Sequence, residues 1–352
     1  MSIVSQPLVS IVTPVYNGAE YIAECIESVL AQTYRNWNYV IVDNCSTDDT
    51  VAVARSYAAK DSRIHVTENQ QFLRAVQNHN NALKKISAES KYCKVVFADD
   101  WLFPECLERM VAVAEENPSV GLVGAYCLEG TRVICAGLPY TDRIVSGRDI
   151  CRKHLLDQLY VWGTATNLLY RSDLVRGDDA FFNERNIHAD TEVCFRLLKN
   201  CDFGFVHQVL TFTRVRQKSL SAMSKDLSTH YAGALRYIQA YGRDYLTEEE
   251  FKTCFTNHVA AYYRFLAKSK FTRRDIKFWD YHKAKLIEEG VGWNRTRLAG
   301  ALFSVTLSAL LNPRDLIKNI IAPKQWPNDE RWETSKELPL YRQSMRRNGP
   351  NG

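Results

Sequence analysis

The first hundred residues alternate short apolar runs with segments of helical periodicity, and this alternation limits the fold more than any other feature of the sequence. Runs rich in Val, Ile and Tyr predict four strands. Apolar residues at helical spacing predict a helix between each strand and the next. The strands are expected at 9–16, 39–42, 64–66 and 94–98, and the helices at 19–32, 51–57 and 73–86.

Strands that alternate with helices form parallel sheets, in which right-handed crossovers join successive strands. The carboxyl ends of such strands meet at one edge of the sheet, and ligands bind in the crevice outside it. Pro14 to Asn17, Asp43 and the pair Asp99-Asp100 all follow strands, so we expect them to meet there. The predicted fold class is α/β, with a mostly parallel central sheet and helices on both faces.

The rest of the chain continues this pattern and then becomes helical. We expect helices at 104–116, at 150–160 and from Asp190, strands at 120–123, before Arg171 and within 203–212, and loops or a hairpin at 128–146. From residue 226 onward helical patterns dominate. A chain of 352 residues has room for about two domains. We therefore predict one domain at 1–225 and a helical, basic region at 226–352 that associates with a membrane or oligomerises.

Charge is spread unevenly along the sequence. Residues 1–251 carry 26 Lys+Arg and 31 Asp+Glu, a net charge of −5, whereas residues 252–352 carry 19 and 9, a net charge of +10. A basic end on an acidic body indicates an anionic partner, and the alternative is a solvated tail. Because the first 251 residues are acidic, we do not expect a nucleic-acid partner.

Cysteine usage and hydropathy predict a cytoplasmic protein. The ten cysteines form no C-x-x-C pair, which disfavours a zinc site. Cys25 and Cys93 lie in apolar runs, where a free cysteine behaves as a small hydrophobic residue, and this indicates a reducing compartment. No signal-peptide pattern precedes Pro7, and no apolar run reaches the length of a spanning helix. The 14 small or apolar residues of 298–311 follow Arg295 and Arg297. They fit shallow docking on the inner face of a membrane, or packing within the protein or against a second copy.

Asp99 and Asp100 follow a buried strand directly. Two adjacent carboxylates repel each other, and a divalent metal is the commonest reason to hold them together. The alternative is that they cap the helix expected near Pro104.

These segments, in this order, resemble family 2 glycosyltransferases, which are inverting, nucleotide-sugar-dependent enzymes of the A-type fold. The resemblance covers roughly residues 7–222. It rests on the first strand through Gly18, the strand ending at Asp43, Arg74 with Asn80, Asp99-Asp100, and the helix at Asp190. Two positions depart from the family pattern. Phe97 stands where many members have an acidic residue, and Ala189 stands where the catalytic Asp often follows a Glu.

The resemblance implies a nucleotide site and a metal site. Pro14 and Tyr16 would line the base pocket, and Asp43 would accept a hydrogen bond from the base, most often uracil. Arg74 would help to hold the nucleotide. Asp99 would face the ribose or the metal, and Asp100 would bind the metal, Mg²⁺ or Mn²⁺.

The resemblance also implies the catalytic groups. Asp190 would be the general base that deprotonates the acceptor hydroxyl, and the alternative is a helix N-cap. Glu192 and then His188 are the next candidates for the base. Arg214 and Arg216, with Ser219 and Ser221, match a segment that often closes over the diphosphate; a basic surface loop is the alternative. Trp162-Gly163-Thr164 resembles the border of the donor sugar and the acceptor, unless Trp162 is a core residue.

The predicted function is therefore metal-dependent, inverting transfer of a sugar from a nucleotide-diphosphate sugar to a hydroxyl of a glycan or lipid-linked glycan. A UDP-sugar is favoured as donor, and cell-surface polysaccharide biosynthesis as the setting. A nucleotidyltransferase is one alternative, although the sequence after the first strand lacks a Gly-rich phosphate loop with Lys or Arg. A non-catalytic protein that binds nucleotide sugars or glycans is the other.

Overall fold

The computed structural model describes residues 6–156, 159–178, 180–216, 220–273 and 275–311. The described chain forms two compact units. The larger comprises the described residues up to 259 together with 276–292, and the smaller comprises those of 260–275 and 293–311. The predicted functional division at residue 225 stays a prediction. In the part of the chain that the structure describes, no helix is long and apolar enough to cross a membrane.

A sheet of ten strands forms the centre of the larger unit. The strands are β1 Val9–Val15, β2 Trp37–Asp43, β3 Ile64–Glu68, β4 Tyr92–Val95, β5 Trp101–Leu102, β6 Val120–Glu129, β7 Arg132–Ile134, β8 Ile144–Val145, β9 Leu169–Arg171 and β10 Asp202–Thr213. Their main order is β3-β2-β1-β4-β9-β6-β10-β5. The first four strands of that order pair in parallel, and β4 then pairs antiparallel with β9. Strand β10 is parallel to β6 and antiparallel to β5 and β8.

Helices cover both faces of this sheet, as the sequence predicts. Alternate residues of a strand point to opposite faces, and the core divides accordingly, with Val12 in one apolar cluster and Ile11 in the other. The helices are α1 Ile22–Leu30, α2 Thr50–Ala58, α3 Ala75–Leu83, α4 Cys106–Glu116, α5 Gly147–Leu155, α6 Ser172–Arg176, α7 Ala189–Leu197, α8 Leu220–Leu227, α9 His230–Tyr245, α10 Glu248–Ser269, α11 Ile276–Glu288 and α12 Arg295–Leu311. The Val12 cluster includes residues of α3, α5, α7 and α9, and the Ile11 cluster includes residues of α1, α2 and α4.

The sheet opens into a crevice where β1 and β4 separate. Their register ends at the pair Val12 and Val95, so β4 stops three residues before the predicted end at Ala98. Thr13 holds the residues at this edge of the crevice together. Its hydroxyl lies 2.7 Å from the Tyr39 hydroxyl and donates to the Val96 carbonyl over 2.7 Å. The Val96 N–H still donates to the Val12 carbonyl over 3.0 Å, and Pro14, which has no N–H, cannot donate the next ladder bond on that side of β1.

Candidate active site

A cavity of about 370 Å³ lies at the carboxyl ends of β1 and β4. Seven stretches of the chain, most of them loops or the first residues of a helix, contribute to its wall. The lining residues are Pro14, Val15, Tyr16, Asn17, Gly18, Tyr21, Asn44, Phe72, Leu73, Ala75, Val76, Asn78, His79, Phe97, Ala98, Asp99, Asp100, Thr164, Ala165, Phe182, Ile187, Ala189, Asp190, Thr213, Arg214 and Arg216. Eight residues singled out from the sequence therefore share this wall: Pro14, Tyr16, Asp99, Asp100, Thr164, Asp190, Arg214 and Arg216.

The turn after β1 is held to the loop after β2. Asn17 adopts the left-handed conformation with φ of +48°, as an Asn-Gly turn predicts. A Cβ on Gly18 would lie 2.6 Å from Cγ2 of Val15, so a side chain there has no room. The N–H groups of Asn17, Gly18 and Ala19 donate to side chains of the second loop. Their acceptors are Ser46 Oγ at 2.8 Å, Thr50 Oγ1 at 2.8 Å and Asp48 Oδ2 at 3.1 Å.

Two aromatic rings stand at the exposed part of the cavity wall. Tyr16 and Phe72 are 49% and 59% exposed, and their ring centroids lie 5.0 Å apart in an edge-on arrangement. Asn44 fixes the Phe72 segment by a pair of hydrogen bonds with Leu73. Its Oδ1 accepts from the Leu73 N–H over 2.9 Å, and its Nδ2 donates to the Leu73 carbonyl over 2.8 Å.

Asp43 and Arg74 do not line the cavity, although their neighbours do. The carboxylate of Asp43 is buried, and its Oδ2 accepts a hydrogen bond from the Ser46 N–H over 2.9 Å. Its Oδ1 is buried with no hydrogen-bond partner among the described residues. Such an atom costs stability unless a ligand or water satisfies it. Arg74 is exposed at the N-cap of α3.

Asp99 and Asp100 have different surroundings in the same wall. Asp99 pairs with Arg216, whose Nε lies 2.6 Å from Oδ2. Asp100 is buried, and it accepts hydrogen bonds from the Thr166 hydroxyl at 2.7 Å and from the Arg214 N–H at 3.1 Å. Burial and the neighbouring Asp99 raise the pKa of Asp100 to about 7. The helix near Pro104 begins only at Cys106, beyond β5, so these aspartates are not its caps.

Arg214 is held on the same side of the cavity by several contacts. Its Nε donates to the Asp99 carbonyl over 3.2 Å, and its guanidinium pairs with Glu24. The guanidinium carbon also lies 4.7 Å from the centre of the Tyr21 ring, within the range of a cation–π contact. Ser219 lies outside the described residues, and nothing is described of the Ser221 side chain.

Asp190 faces the cavity from the first turn of α7. The helix begins at Ala189 after the N-cap His188, so Asp190 lies inside the helix and is not its N-cap. Its Oδ1 accepts a hydrogen bond from the Thr191 N–H over 2.8 Å. Burial raises the pKa of Asp190 to about 6, despite backbone hydrogen bonds that favour the charged form.

The other two candidates for the base do not line the cavity. Glu192 accepts hydrogen bonds from Asn183 and Asn186 and pairs with Arg236 of α9 at 3.1 Å. Burial opposes its charge, but the hydrogen bonds from Arg236, Asn186 and Asn183 outweigh that and lower its pKa. Burial lowers the pKa of His188 to about 4, and its Nε2 lies 2.8 Å from the Thr229 hydroxyl.

Glu192→Gln is expected to lower the free energy of unfolding by about 1–3 kcal/mol, because it removes a charge that is paired and hydrogen-bonded. The pKa of Glu192 is lowered in the folded state. Its contribution to stability is therefore present above the ordinary Glu pKa and lost as the pH falls below it. Urea unfolding at neutral and acidic pH measures both effects.

Glu248→Gln is the matched control, since the Glu248 ion pair with Arg243 is 63% and 62% exposed. The control should change stability by less than about 0.5 kcal/mol. Equal effects of the two substitutions would contradict the role given to Glu192.

Of the segment Trp162-Gly163-Thr164, only Thr164 lines the cavity. Trp162 is fully buried, and its ring packs edge-on against Phe195 at 5.6 Å between centroids, as its core alternative predicts. Gly163 has φ of +62°, a conformation that other residues adopt at a cost.

Thr166 and Asn167, which support the cavity wall, carry no recognisable signal in the sequence. Thr166 binds both Asp100 and the Phe97 N–H, the latter at 3.1 Å. Asn167 accepts from the Thr211 hydroxyl at 2.7 Å and donates to the Ala125 carbonyl at 3.0 Å. Both lie in a single 3-10 turn, which polar spacing alone does not reveal.

Comparison with known proteins adds a family match and several relatives. Residues 10–132 match the family model described as glycosyl transferase family 2. The putative glycosyltransferase EpsE of Bacillus subtilis is 30% identical over 176 residues, which are 48% of this chain and 62% of that protein. The putative teichuronic acid biosynthesis glycosyltransferase TuaG of the same species is 37% identical over 112 residues, 32% of this chain and 44% of that protein. The chain thus spans less than two thirds of these relatives.

Solved structures resemble this one in fold. S. aureus TarS 1–349 in complex with UDP-GlcNAc superposes with a TM-score of 0.62 at 17% identity, covering 87% of this chain and 91% of that chain. The mannosyltransferase PcManGT from Pyrobaculum calidifontis, in complex with GDP-Man and Mn²⁺, gives a TM-score of 0.52 at 16% identity, covering 90% and 84%. The family match over residues 10–132, the glycosyltransferase relatives and the shared architecture support a family 2 glycosyltransferase with the A-type fold.

Proposed function

We propose that the protein is a metal-dependent, inverting glycosyltransferase that acts on a nucleotide-diphosphate sugar, with a UDP-sugar favoured. The acceptor is a hydroxyl of a glycan or lipid-linked glycan, in the biosynthesis of a cell-surface polysaccharide. One observation carries the proposal: Asp99, Asp100 and the isolated acid Asp190 line the same cavity. Teichuronic acid biosynthesis, for which TuaG is named, and the complex of TarS with UDP-GlcNAc support the setting and the donor.

The nucleotide would lie at the Tyr16 side of the cavity. The Tyr16 and Phe72 rings offer faces and edges on which a base can stack. The orphaned Oδ1 of Asp43 is an acceptor that the imide N–H of uracil could satisfy. Arg74, exposed beside the wall residue Leu73, supplies a cation for the nucleotide.

A divalent ion fits the Asp99–Asp100 pair. In the part of the chain that the structure describes, no group of three His, Cys, Asp or Glu side chains surrounds a common point. The protein would therefore supply two carboxylate ligands, and diphosphate oxygens and water would be the others. Such a ligand set suits Mg²⁺ or Mn²⁺. The raised pKa of Asp100 reflects burial and like-charge repulsion, and both favour a cation there. When bound, the ion offsets the charge that develops on the diphosphate.

The reaction is a single displacement. Asp190 takes the proton of the acceptor hydroxyl as that oxygen forms a bond to the anomeric carbon. The bond from the anomeric carbon to the diphosphate oxygen breaks, and its electron pair leaves with the nucleoside diphosphate. Arg214 and Arg216 lie in the same wall and can attract the diphosphate, with Arg216 moving from Asp99 to a phosphate.

A nucleotidyltransferase is less well supported, because such an enzyme binds phosphates through free backbone N–H groups after the first strand. The N–H groups of Asn17, Gly18 and Ala19 are already bonded to side chains.

A thermal-shift screen of UDP-, GDP- and dTDP-sugars with Mn²⁺ tests the proposal. A donor at about 100 times its Kd stabilises the protein by roughly 2.7 kcal/mol. We expect the largest increase in Tm with a UDP-sugar and a smaller one when Mn²⁺ is omitted. A response to nucleoside triphosphates but to no nucleotide sugar would support the nucleotidyltransferase instead and overturn the proposal.

The pH profile of transfer should report the ionisation of Asp190. A base must be unprotonated, and the pKa of Asp190 is about 6. We therefore expect kcat/KM to fall about tenfold for each pH unit below that value. The folded pKa lies above the ordinary 3.8, so ionised Asp190 lowers stability as the pH rises from about 4 to about 6. Asp190→Asn should remove this pH dependence of the free energy of unfolding, which urea unfolding at several pH values measures.

A further inference from the structure

Helix α12 of the smaller unit carries an exposed apolar face. Phe303 is 69% exposed, Leu307 43% and Leu310 78%. Their spacing of four and three residues places them on one side of the helix. The opposite side holds Leu298, which is only 8% exposed. The helix is therefore apolar on both sides, and only one side is buried among the described residues.

The polar groups of this exposed face need no water. The Thr306 hydroxyl donates to the Leu302 carbonyl at 3.0 Å and lies 2.9 Å from the Phe303 carbonyl. At the start of the helix the Asn294 side chain accepts from the Arg297 N–H over 2.9 Å and caps the first turn. The helix contains no acidic residue. The face can enter an apolar medium without stranding a hydrogen-bonding side chain.

The smaller unit is also strongly basic. Its described residues include six Lys and Arg and a single acidic residue, Asp275, a net charge of +5. The basic residues are Arg264, Lys268, Lys270, Arg273, Arg295 and Arg297. Phe271 is another apolar side chain, 66% exposed, and it follows Lys268 and Lys270 and precedes Arg273 in the sequence. Apolar side chains interspersed with positive charge are typical of surfaces that bind anionic lipid.

These charges decide between the candidate occupants of the face. A second copy would bring an equally basic unit to a two-fold contact, and the like charges would oppose association. A bilayer with anionic headgroups meets both requirements, because its acyl region accepts Phe303, Leu307 and Leu310 and its surface attracts the basic residues. Among the described residues no helix is long and apolar enough to cross a membrane, and the one-sided exposure of α12 suits a helix that lies in the membrane plane.

We propose that the exposed face of α12 docks the protein onto an anionic membrane surface. This inference goes beyond the proposed transferase activity and does not depend on it, because lipid binding is measured without donor or acceptor.

The test is co-sedimentation of the full chain with vesicles of phosphatidylcholine, alone or with phosphatidylglycerol added. We expect binding to the anionic vesicles to exceed binding to neutral ones by at least about tenfold at low salt and to weaken as salt is raised. The double variant Phe303→Gln, Leu307→Gln should lose at least about tenfold in affinity for the anionic vesicles, because it removes apolar area without changing charge.

The matched control is Ser304→Gln, Ser308→Gln, which adds the same side chain at exposed positions away from the Phe303–Leu310 line. The control should bind within about twofold of the wild type. Equal losses in both double variants, equal binding to neutral and anionic vesicles, or no binding by the wild type would each overturn the proposal. So would a dimer that the Phe303→Gln, Leu307→Gln variant dissociates while its lipid binding is unchanged, since a second copy would then occupy the face.

Discussion

Asp190→Asn is expected to slow sugar transfer by about 100- to 10,000-fold and to leave donor affinity within about twofold. The substitution keeps the shape of the side chain and an oxygen that can accept from the Thr191 N–H, but it removes the basic carboxylate. The donor is expected on the other side of the cavity, so its contacts should not change. Initial rates of nucleoside diphosphate release measure the first effect, and calorimetric titration of the donor measures the second.

The same experiment separates the enzyme from a non-catalytic binding protein. Asp149→Asn is a suitable control, because Asp149 is an exposed acid in the first turn of a different helix, α5, and does not line the cavity. We expect the control to transfer sugar at the wild-type rate. If Asp190→Asn keeps more than about a tenth of the activity, Asp190 is not the base.

Asp100→Asn should lower transfer by roughly 100- to 1,000-fold and abolish the increase in Tm that Mn²⁺ gives with the donor. Asparagine can meet both present partners of Asp100, since its oxygen can accept from the Arg214 N–H and its amide can donate to the Thr166 hydroxyl. The fold should therefore survive. Only the negative charge that attracts the metal is lost.

The metal-free protein offers an independent check on this variant. The pKa of Asp100 is about 7, above the ordinary 3.8, so its ionised form lowers the stability of the folded state at neutral pH and above. Asp100→Asn should then raise the free energy of unfolding without metal by an amount on the order of 1–3 kcal/mol. A variant that loses both activity and metal-free stability would indicate a structural role instead.

Most of the architecture could be predicted from the sequence, because strand and helix periods differ clearly over residues 9–129. The parallel order of the first four strands and the gathering of Pro14, Tyr16 and the Asp99–Asp100 pair at one edge follow from that alternation and are observed. The predicted end of β4 was wrong by three residues. The Val96 N–H still donates to the Val12 carbonyl, but the chain then leaves the sheet and forms the crevice. The apolar character of residues 96–98 does not indicate where the strand ends.

The finer contacts of the site depend on tertiary packing that no local pattern encodes. Glu192 and Asp190 are both acids of the same helical turn in the sequence, yet one meets Arg236 from a helix 44 residues later and the other meets the cavity. Trp162 and Thr164 are two residues apart, yet one is a core residue and the other lines the wall. Which side chain faces a ligand depends on distant elements.

The three hydrogen bonds from the turn after β1 to the loop after β2 have a consequence for engineering. Asn17, Gly18 and Ala19 are locked to Ser46, Thr50 and Asp48, so the two loops form one preorganised part. Little ordering entropy should then be lost when a nucleotide arrives. Grafting either loop alone from a relative with another base preference would leave donors or acceptors unmatched, the buried Gly18 N–H and Thr50 hydroxyl among them, whereas exchanging both loops together preserves these hydrogen bonds.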